Sequence, residues 1–330
     1  MGILALMHNE AFETIKAASR VLLHLHPKPD PDSIGSALAT YHALKGLGKE
    51  VTVIQGDSEL PEIFSGLPGY GDIVRKSYFD IDLGEFDLFI IQDSGSKHII
   101  SRKAEVVFPS HLKTIIIDHH KTNEKFADIN IVDATYAATA ELLYDLFIEW
   151  EITITPEIAA NLYFGIYGDT GGFKYLSTTP RTFKIAAHLA ELYPDFPKLI
   201  SDTYHNHKKE ALFFDALVLN SIETFFDDTV AISSVSFDEL QKRGITVADT
   251  DNNLVANMLI SVKNWKIGVT LIEKESNVVG ISFRSKDDID VSMIAQKIGG
   301  GGHKQASGAR LVMSLEDAKK KVIEAISSSL

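Results

Sequence analysis

Short apolar runs alternate with longer amphipathic segments through the first part of the chain. Runs such as Val21-Leu22-Leu23 and Ile115-Ile116-Ile117 are typical of buried strands, whereas apolar positions spaced three and four residues apart are typical of helices. Apolar strands between helices indicate a mostly parallel sheet covered on both faces. The predicted strands are 20–25, 50–54, 87–92 and 113–117, and the predicted helices are 33–47, 135–150, 156–167 and 180–192.

The alternation of apolar runs and amphipathic segments stops after residue 192 and begins again near residue 229. Prolines and polar residues between 193 and 214 favour a helical connector. We therefore predict an α/β protein with an N-terminal domain at 1–192, a helical linker at 193–214 and a smaller C-terminal α/β domain at 215–330. The predicted C-terminal strands are 229–235, 266–273 and 277–284, and the predicted helices are 252–264, 291–298 and one from residue 315.

The amino-acid composition limits which metal sites and catalytic groups are possible. The 330 residues are 45% hydrophobic and 23% charged, which is ordinary for a globular protein with two domains. The absence of cysteine excludes disulfides, thiolate metal sites and a cysteine nucleophile, so any metal must be held by histidine and carboxylate.

Charge and hydropathy bear on partners and location. A net charge of −13 argues against long duplex nucleic acid, because such binding relies on Lys and Arg, but it allows a small polyanion in a locally positive site. No run approaches the ~18 apolar residues of a membrane span, and the N-terminus lacks the basic start of a signal peptide. We expect a cytoplasmic protein without membrane contact.

Candidate metal ligands follow several of the apolar segments. Asp118-His119-His120 ends one predicted strand, at the edge where open α/β sheets bind ligands. Taken alone, this tripeptide could be a solvated strand end, and the segment His26 to Asp32 could be a proline-rich turn with Asp32 as a helix N-cap. Asp93 and Asp169 are carboxylates that also follow apolar segments. The occurrence of all four groups in one domain favours a metal site.

These residues carry a resemblance to a known family. His26-x-x-Pro29-Asp30-x-Asp32 with Gly35-Ser36, then Asp93, Asp118-His119-His120 and Asp169-Thr170-Gly171, resemble the four ordered motifs of the DHH phosphoesterase superfamily. The segment 299–308, GGGGHKQASG, resembles the glycine-rich signature of the DHH-associated C-terminal domain. Length, domain order and the segment 169–180 look most like the branch of nanoRNases (oligoribonucleases) that are also pAp phosphatases.

The resemblance implies a dinuclear site for two divalent cations, with Mn²⁺ as the usual ion and Mg²⁺ or Co²⁺ as alternatives. His26, Asp30 and Asp93 would hold one ion, and Asp32, Asp93, His119 and Asp169 the other, with Asp93 as the bridge. Imidazole and carboxylate donors suit Mn²⁺ on chemical grounds as well. Asp118 is expected to orient a histidine, and His120 to act in catalysis at the scissile phosphate or leaving oxygen, with packing support as its alternative role.

The C-terminal motifs imply substrate binding. Glycine allows the backbone to approach an anion closely, and Arg adds a charged donor. The residues expected to contact substrate are Arg284, Ser285, Gly300, Gly301, Gly302 and His303. Three positions of the first motif depart from the family pattern, since Lys28, Pro31 and Ser33 stand where Asn, Gly and Ala are frequent.

The implied function is hydrolysis of short oligoribonucleotides, dimers to pentamers, to mononucleotides, and of 3′-phosphoadenosine 5′-phosphate (pAp) to AMP, by a water activated between two metal ions. The alternatives are a signalling phosphodiesterase for linear or cyclic dinucleotides, and a non-catalytic nucleotide- or RNA-binding module. The expected partner is a short RNA or nucleotide, and a homodimer is compatible with the sequence.

Overall fold

The computed structural model describes residues 3–204, 208–250 and 254–329. The chain divides into two compact units, Met1–Asn206 and His207–Leu330. The domain and linker limits predicted from the sequence stay predictions.

Strands and helices alternate in the first unit. The strands are β1 (Arg20–His24), β2 (Glu50–Ile54), β3 (Leu88–Gln92), β4 (Lys113–Asp118) and β5 (Ile129–Val132). The helices are α1 (Ile3–Ala17), α2 (Pro31–Gly46), α3 (Thr139–Glu149), α4 (Pro156–Asp169), α5 (Pro180–Leu192) and α6 (Phe196–Tyr204).

The strands of this unit form a parallel sheet, in the order β2-β1-β3-β4-β5 for the five strands that the described residues contain. Every residue of β3 is buried, as expected for a central parallel strand. Alternate residues of the strands pack against helices such as α2, α3 and α4 on one face. The other face is covered by apolar side chains from the segments that flank β3, including Tyr78, Phe86 and Ile100.

Glycines let α2 and α4 pack backbone to backbone. A Cβ atom on Gly35 would lie 2.5 Å from the carbonyl oxygen of Asn161, and one on Gly165 would lie 2.9 Å from Asp32 Oδ1. Only glycine permits so close an approach. This contact fixes the beginning of α2 beside the end of α4, and both segments carry candidate metal ligands.

The predicted fold class is confirmed, with a parallel sheet flanked by helices and a second, smaller sheet domain. The predicted strands match β1 to β4 within a residue at each end, and 180–192 matches α5. The sequence reasoning missed α1 and β5, and the segment predicted as helix 135–150 begins four residues later, at Thr139.

The second unit also mixes helices and strands. Its helices are α7 (Lys209–Asn220), α8 (Phe237–Lys242), α9 (Leu254–Ser261), α10 (Val291–Lys297) and α11 (Leu315–Ser327). Its strands are β6 (Glu223–Phe225), β7 (Val230–Val235), β8 (Ile267–Glu275), β9 (Val278–Ser285), β10 (Gly301–His303) and β11 (Ala306–Val312). The start of the helix predicted at 252–264 lies outside the described residues.

This sheet is mixed, and the described part of it has six strands in the order β10-β11-β9-β8-β7-β6. β7 and β8 are parallel, whereas the other neighbours are antiparallel. Apolar residues of α10 and α11 pack on one face, and Phe214 and Val218 of α7 join a smaller cluster with Ile272. Among the helices in the described ranges, none is long and apolar enough to cross a membrane.

Candidate metal centre

The candidate ligands meet at one edge of the parallel sheet. β1, β3 and β4 are neighbours and run in the same direction, so the residues that follow them emerge side by side. His26 follows β1, Asp93 follows β3, and His119 follows β4. The start of α2 and the end of α4 bring further carboxylates to the same place.

The loop between β1 and α2 positions two of these carboxylates. Asp30 is the N-cap of α2, and its Oδ1 accepts a hydrogen bond of 2.9 Å from the backbone N–H of Ser33. The alternative in which Asp32 caps this helix is therefore wrong. Pro31 occupies the first helical position, where proline is favoured. Lys28, one of the departures from the family pattern, is exposed with a φ of +58°.

Asp32 instead caps a different helix. Its carboxylate is fully buried and accepts hydrogen bonds from the backbone N–H groups of Thr139, at 2.6 Å, and Ala140, at 2.9 Å. These are the first residues of α3, whose own N-cap position is an alanine without a side-chain acceptor. Ser36 adds a hydroxyl donor at 3.2 Å. Oδ1 accepts two of these bonds and Oδ2 only one, so Oδ2 retains a lone pair for a cation.

Asp93 lies at the middle of the cluster. It is 3% exposed and has a φ of +50°, a left-handed conformation that Asp tolerates better than most residues. Its Oδ2 lies 3.5 Å from His26 Nε2, and its Oδ1 lies 3.7 Å from His119 Nε2 and 3.5 Å from His120 Nδ1. Thr139 Oγ1 donates to Oδ1 at 3.2 Å. The two oxygens thus face different imidazoles, as a bridging carboxylate requires.

His119 has the features of a metal ligand. Its Nδ1 lies 3.3 Å from the backbone oxygen of Tyr136, which leaves Nε2 as the nitrogen directed at the carboxylates. Nε2 lies 3.1 Å from Asp169 Oδ2 and 3.9 Å from Asp32 Oδ2. Nevertheless, this buried atom has no hydrogen bond of acceptable geometry among the described residues. A buried imidazole nitrogen among carboxylates fits a divalent cation.

The charges of the site perturb its ionisation. Burial, followed by the negative charges of Asp93 and Asp169, raises the pKa of Asp32 well above its usual value. Burial also raises the pKa of Asp169. For His26 and His119, burial favours a lower pKa, but the neighbouring carboxylates outweigh it and raise the pKa of both imidazoles. A divalent cation would therefore compete with protons for these carboxylate and imidazole donors.

Asp118 orients His120. The Asp118 carboxylate is fully buried, and its Oδ1 pairs with His120 Nδ1 at 2.8 Å and accepts from the His120 backbone N–H at 3.2 Å. Asn123 Nδ2 donates to Asp118 Oδ2 at 2.6 Å and to the backbone oxygen of Ser94 at 3.2 Å. Burial favours a higher pKa for Asp118, but these donors outweigh it and hold the pKa low. The His120 side chain is 48% exposed and accessible to a substrate.

The structure thus brings the N-terminal candidates together. Their donor atoms form overlapping groups that could each hold a metal ion, and Asp93 and His119 each belong to more than one group. Among the described residues, these groups are His26-Asp30-Asp93, Asp32-His119-Asp169 and Asp93-His119-His120.

The C-terminal candidates lie in the second unit, on β9 and β10. Arg284 is half-buried, donates from Nε to Asn257 Oδ1 at 3.1 Å, and has a pKa lowered by burial. Ser285 is buried, and its hydroxyl donates to the backbone oxygen of Ile289 at 2.7 Å. The strand register places the backbone of His303 opposite Ala306, which in turn lies opposite Arg284. The His303 side chain lies outside the described residues.

Part of the glycine-rich segment is a strand. Gly301 and Gly302 belong to β10, which pairs with β11 in a short hairpin. A Cβ on Gly300 would lie 2.2 Å from the carbonyl oxygen of Gly308, and one on Gly302 would lie 2.7 Å from that of Ala306. The glycines thus allow the close approach of a neighbouring strand, and Gly301 and Gly302 remain exposed.

Sequence reasoning missed Thr139 and Asn123. Thr139 is more than forty residues away in sequence from both Asp32 and Asp93, which it contacts. No local sequence pattern therefore identifies Thr139 as part of the site. Asn123 is five residues from Asp118, and its spacing after the DHH tripeptide was the available signal.

A parallel α/β sheet with histidine and aspartate donors at its carboxyl edge defines a class of metal-binding α/β proteins. The model for the N-terminal domain of the DHH family matches residues 20–166, and the DHHA1 domain model matches residues 229–329. The chain belongs to the DHH family. DHH phosphoesterases are metal-dependent, and the acidic and histidine groups described above could bind a metal.

Individual relatives agree with this family. The chain is 31% identical to the bifunctional oligoribonuclease and PAP phosphatase NrnA of Thermus thermophilus, over 96% of this chain and 93% of that protein. It is 26% identical to the protein of the same name from Bacillus subtilis, over 92% and 93% of the two chains. The crystal structure of an exopolyphosphatase-related protein from Bacteroides fragilis superposes with a TM-score of 0.88, at 26% identity, covering 98% of this chain and 96% of that one.

Proposed function

We propose that this protein is a metal-dependent phosphoesterase that hydrolyses short oligoribonucleotides to mononucleotides and pAp to AMP. The convergence of His26, Asp30, Asp32, Asp93, His119 and Asp169 at one sheet edge carries this proposal. Relatives named as bifunctional oligoribonucleases and PAP phosphatases, matched over nearly their whole length, support it.

The proposed ligand sets correspond to the clusters of donor atoms described above. His26, Asp30 and Asp93 would hold one cation, and Asp32, Asp93, His119 and Asp169 the other. The position of Asp93 between the imidazoles supports its role as the bridge, because each of its oxygens faces a different histidine. Mn²⁺ is the proposed ion, since imidazole and carboxylate suit it, and Mg²⁺ or Co²⁺ would be alternatives. When bound, the cations lower the pKa of a water and neutralise charge on the phosphate.

The remaining residues have positioning and binding roles. His120 would contact the scissile phosphate or leaving oxygen through Nε2, because Nδ1 is paired with Asp118. Asp118, supported by Asn123, would hold that ring in place. Arg284 and the backbone of Gly300, Gly301 and Gly302, with Ser285 and His303, would bind the nucleotide.

The Asp93→Asn variant tests the centre. The substitution keeps the side-chain shape but removes the bridging charge, so we expect Mn²⁺-dependent hydrolysis of a diribonucleotide to fall by several orders of magnitude. The stabilisation that Mn²⁺ gives to the folded protein should be lost as well. Both are measured on purified protein, by product chromatography and by thermal unfolding with and without Mn²⁺.

Asp128→Asn is the matched control. Asp128 accepts hydrogen bonds from Thr114 near the beginning of β4, at the opposite end of the strand from His119. This variant should lose stability but retain hydrolysis and the response to Mn²⁺. Wild-type activity in Asp93→Asn would contradict the assignment. Parallel assays on pAp, a pentaribonucleotide and a linear diadenylate would separate the two functions, because a signalling phosphodiesterase would act on the dinucleotide alone.

A further inference from the structure

An exposed aromatic ring lies close to the metal centre. The segment after α4 folds back so that the ring of Tyr175 lies directly against Gly171, two residues from Asp169. A Cβ on Gly171 would lie 2.5–2.8 Å from three carbons of that ring. Gly171 also has a φ of +58°, so both its conformation and the ring require glycine. Tyr175 is nevertheless 60% exposed.

Hydrogen bonds fix the backbone of the segment that carries Tyr175. Thr170 is buried, and its hydroxyl donates to the carbonyl oxygen of Ile166 in α4 at 2.7 Å. The backbone N–H groups of Lys174 and Tyr175 both donate to the carbonyl oxygen of Thr170, at 2.9 and 3.0 Å. Tyr175 is thereby tied to the same helix end that carries Asp169. A ligand that contacts Tyr175 therefore does not have to order this backbone when it binds.

Tyr175 differs from the buried aromatic residues of this region. Tyr163 is only 6% exposed and packs against Tyr167 and Phe196, as expected for a core residue. Tyr175 has an exposed neighbour in Leu176, and Phe183 of α5 is 55% exposed. Core packing accounts for Tyr163 but leaves the exposed ring of Tyr175 unexplained.

We propose that Tyr175 is a stacking platform for the base of the nucleotide whose phosphate occupies the metal centre. This inference rests on the proposed function and specifies how its substrate is recognised. Every base has a π-face, so stacking discriminates nucleotides from sugar phosphates or inorganic phosphates without selecting a base sequence. An enzyme that removes short RNA fragments must bind nucleotides in preference to other phosphates and must accept every base.

Binding of AMP and of ribose 5-phosphate tests this role, because the two ligands share the sugar phosphate and differ in the base. Calorimetry on the full-length, Mn²⁺-supplied protein should show AMP binding about 5- to 150-fold more tightly, which corresponds to the ~1–3 kcal/mol of base–aromatic stacking. Tyr175→Leu should abolish this preference by weakening AMP alone. Tyr175→Phe keeps the ring and should retain it.

Phe79→Leu is the control, since Phe79 is another partly exposed aromatic residue, packed against Tyr78. It should retain the preference for AMP. Equal binding of both ligands by the wild type would overturn the proposal, as would unchanged AMP binding in Tyr175→Leu or an equal loss for both ligands. A wild type that prefers AMP but hydrolyses neither a diribonucleotide nor pAp would refute the proposed function and leave the base platform intact.

Discussion

The contact between α2 and α4 provides a quantitative test of how the metal centre is assembled. In a Gly35→Ala variant, the new Cβ would lie 2.5 Å from the carbonyl oxygen of Asn161, and 3.0 and 3.2 Å from the backbone nitrogen and Cα of Gly165. These are backbone atoms and cannot rotate away. The helices must therefore separate by about 0.9 Å to restore an ordinary contact of 3.4 Å.

Two opposing effects set the change in unfolding free energy that Gly35→Ala causes. Overpacking of this kind destabilises a protein by ~1–3 kcal/mol. Replacing a helical glycine by alanine favours the helix by up to about 1 kcal/mol. Gly46→Ala isolates the second effect, because Gly46 is in the same helix and a Cβ there would meet nothing within 4 Å. We expect Gly35→Ala to be ~1–3 kcal/mol less stable than Gly46→Ala.

Urea unfolding of the metal-free variants, followed by circular dichroism, measures that difference. A second series with Mn²⁺ measures how strongly each folded variant binds metal. Because the helix shift moves Asp32 relative to Asp169, Gly35→Ala should also gain less stability from Mn²⁺ than Gly46→Ala does. Equal stability of the two variants, together with equal responses to Mn²⁺, would refute the argument that this close contact positions the ligands.

Two further predictions concern the residues that support the ligands. Thr139→Val removes the hydroxyl that donates to Asp93, so Mn²⁺ affinity, measured by calorimetry, should fall by about 10- to 100-fold. Thr114→Val removes a similar hydroxyl–carboxylate bond away from the site and should reduce stability while leaving that affinity unchanged. Asn123→Ala releases the carboxylate that orients His120, so kcat should fall by up to about 100-fold with a smaller change in KM, and a change confined to KM would contradict this role.

The sequence predicted the N-terminal fold well because its central strands are long apolar runs with few alternative structures. Ile115-Ile116-Ile117, for example, is buried on both faces of the sheet, and a short run of β-branched residues favours such a strand. β5 was missed because its residues alternate between buried and half-buried positions over only four residues. Local patterns do not identify so short an edge strand.

The metal site was predictable as a set of residues but not as a set of contacts. Asp30 and Asp32 are both of a residue type that caps helices, and the sequence alternative assigned the cap of α2 to Asp32, whereas Asp30 caps it. The answer depended on α3, which begins more than one hundred residues later and takes Asp32 as its cap. Tertiary packing likewise decided that part of the glycine-rich segment is a strand, since glycine itself favours no regular structure.

The capping of α2 and α3 has a consequence for how the protein acquires its metal. Both helices direct the partial positive charge of their N-termini toward aspartates of the site, Asp30 for α2 and Asp32 for α3. This built-in charge offsets part of the repulsion among the carboxylates before any cation arrives. We therefore expect the chain to fold first and to load metal afterwards. A bound ion could then be exchanged without unfolding, so the metal supply around the protein would determine which ion it carries.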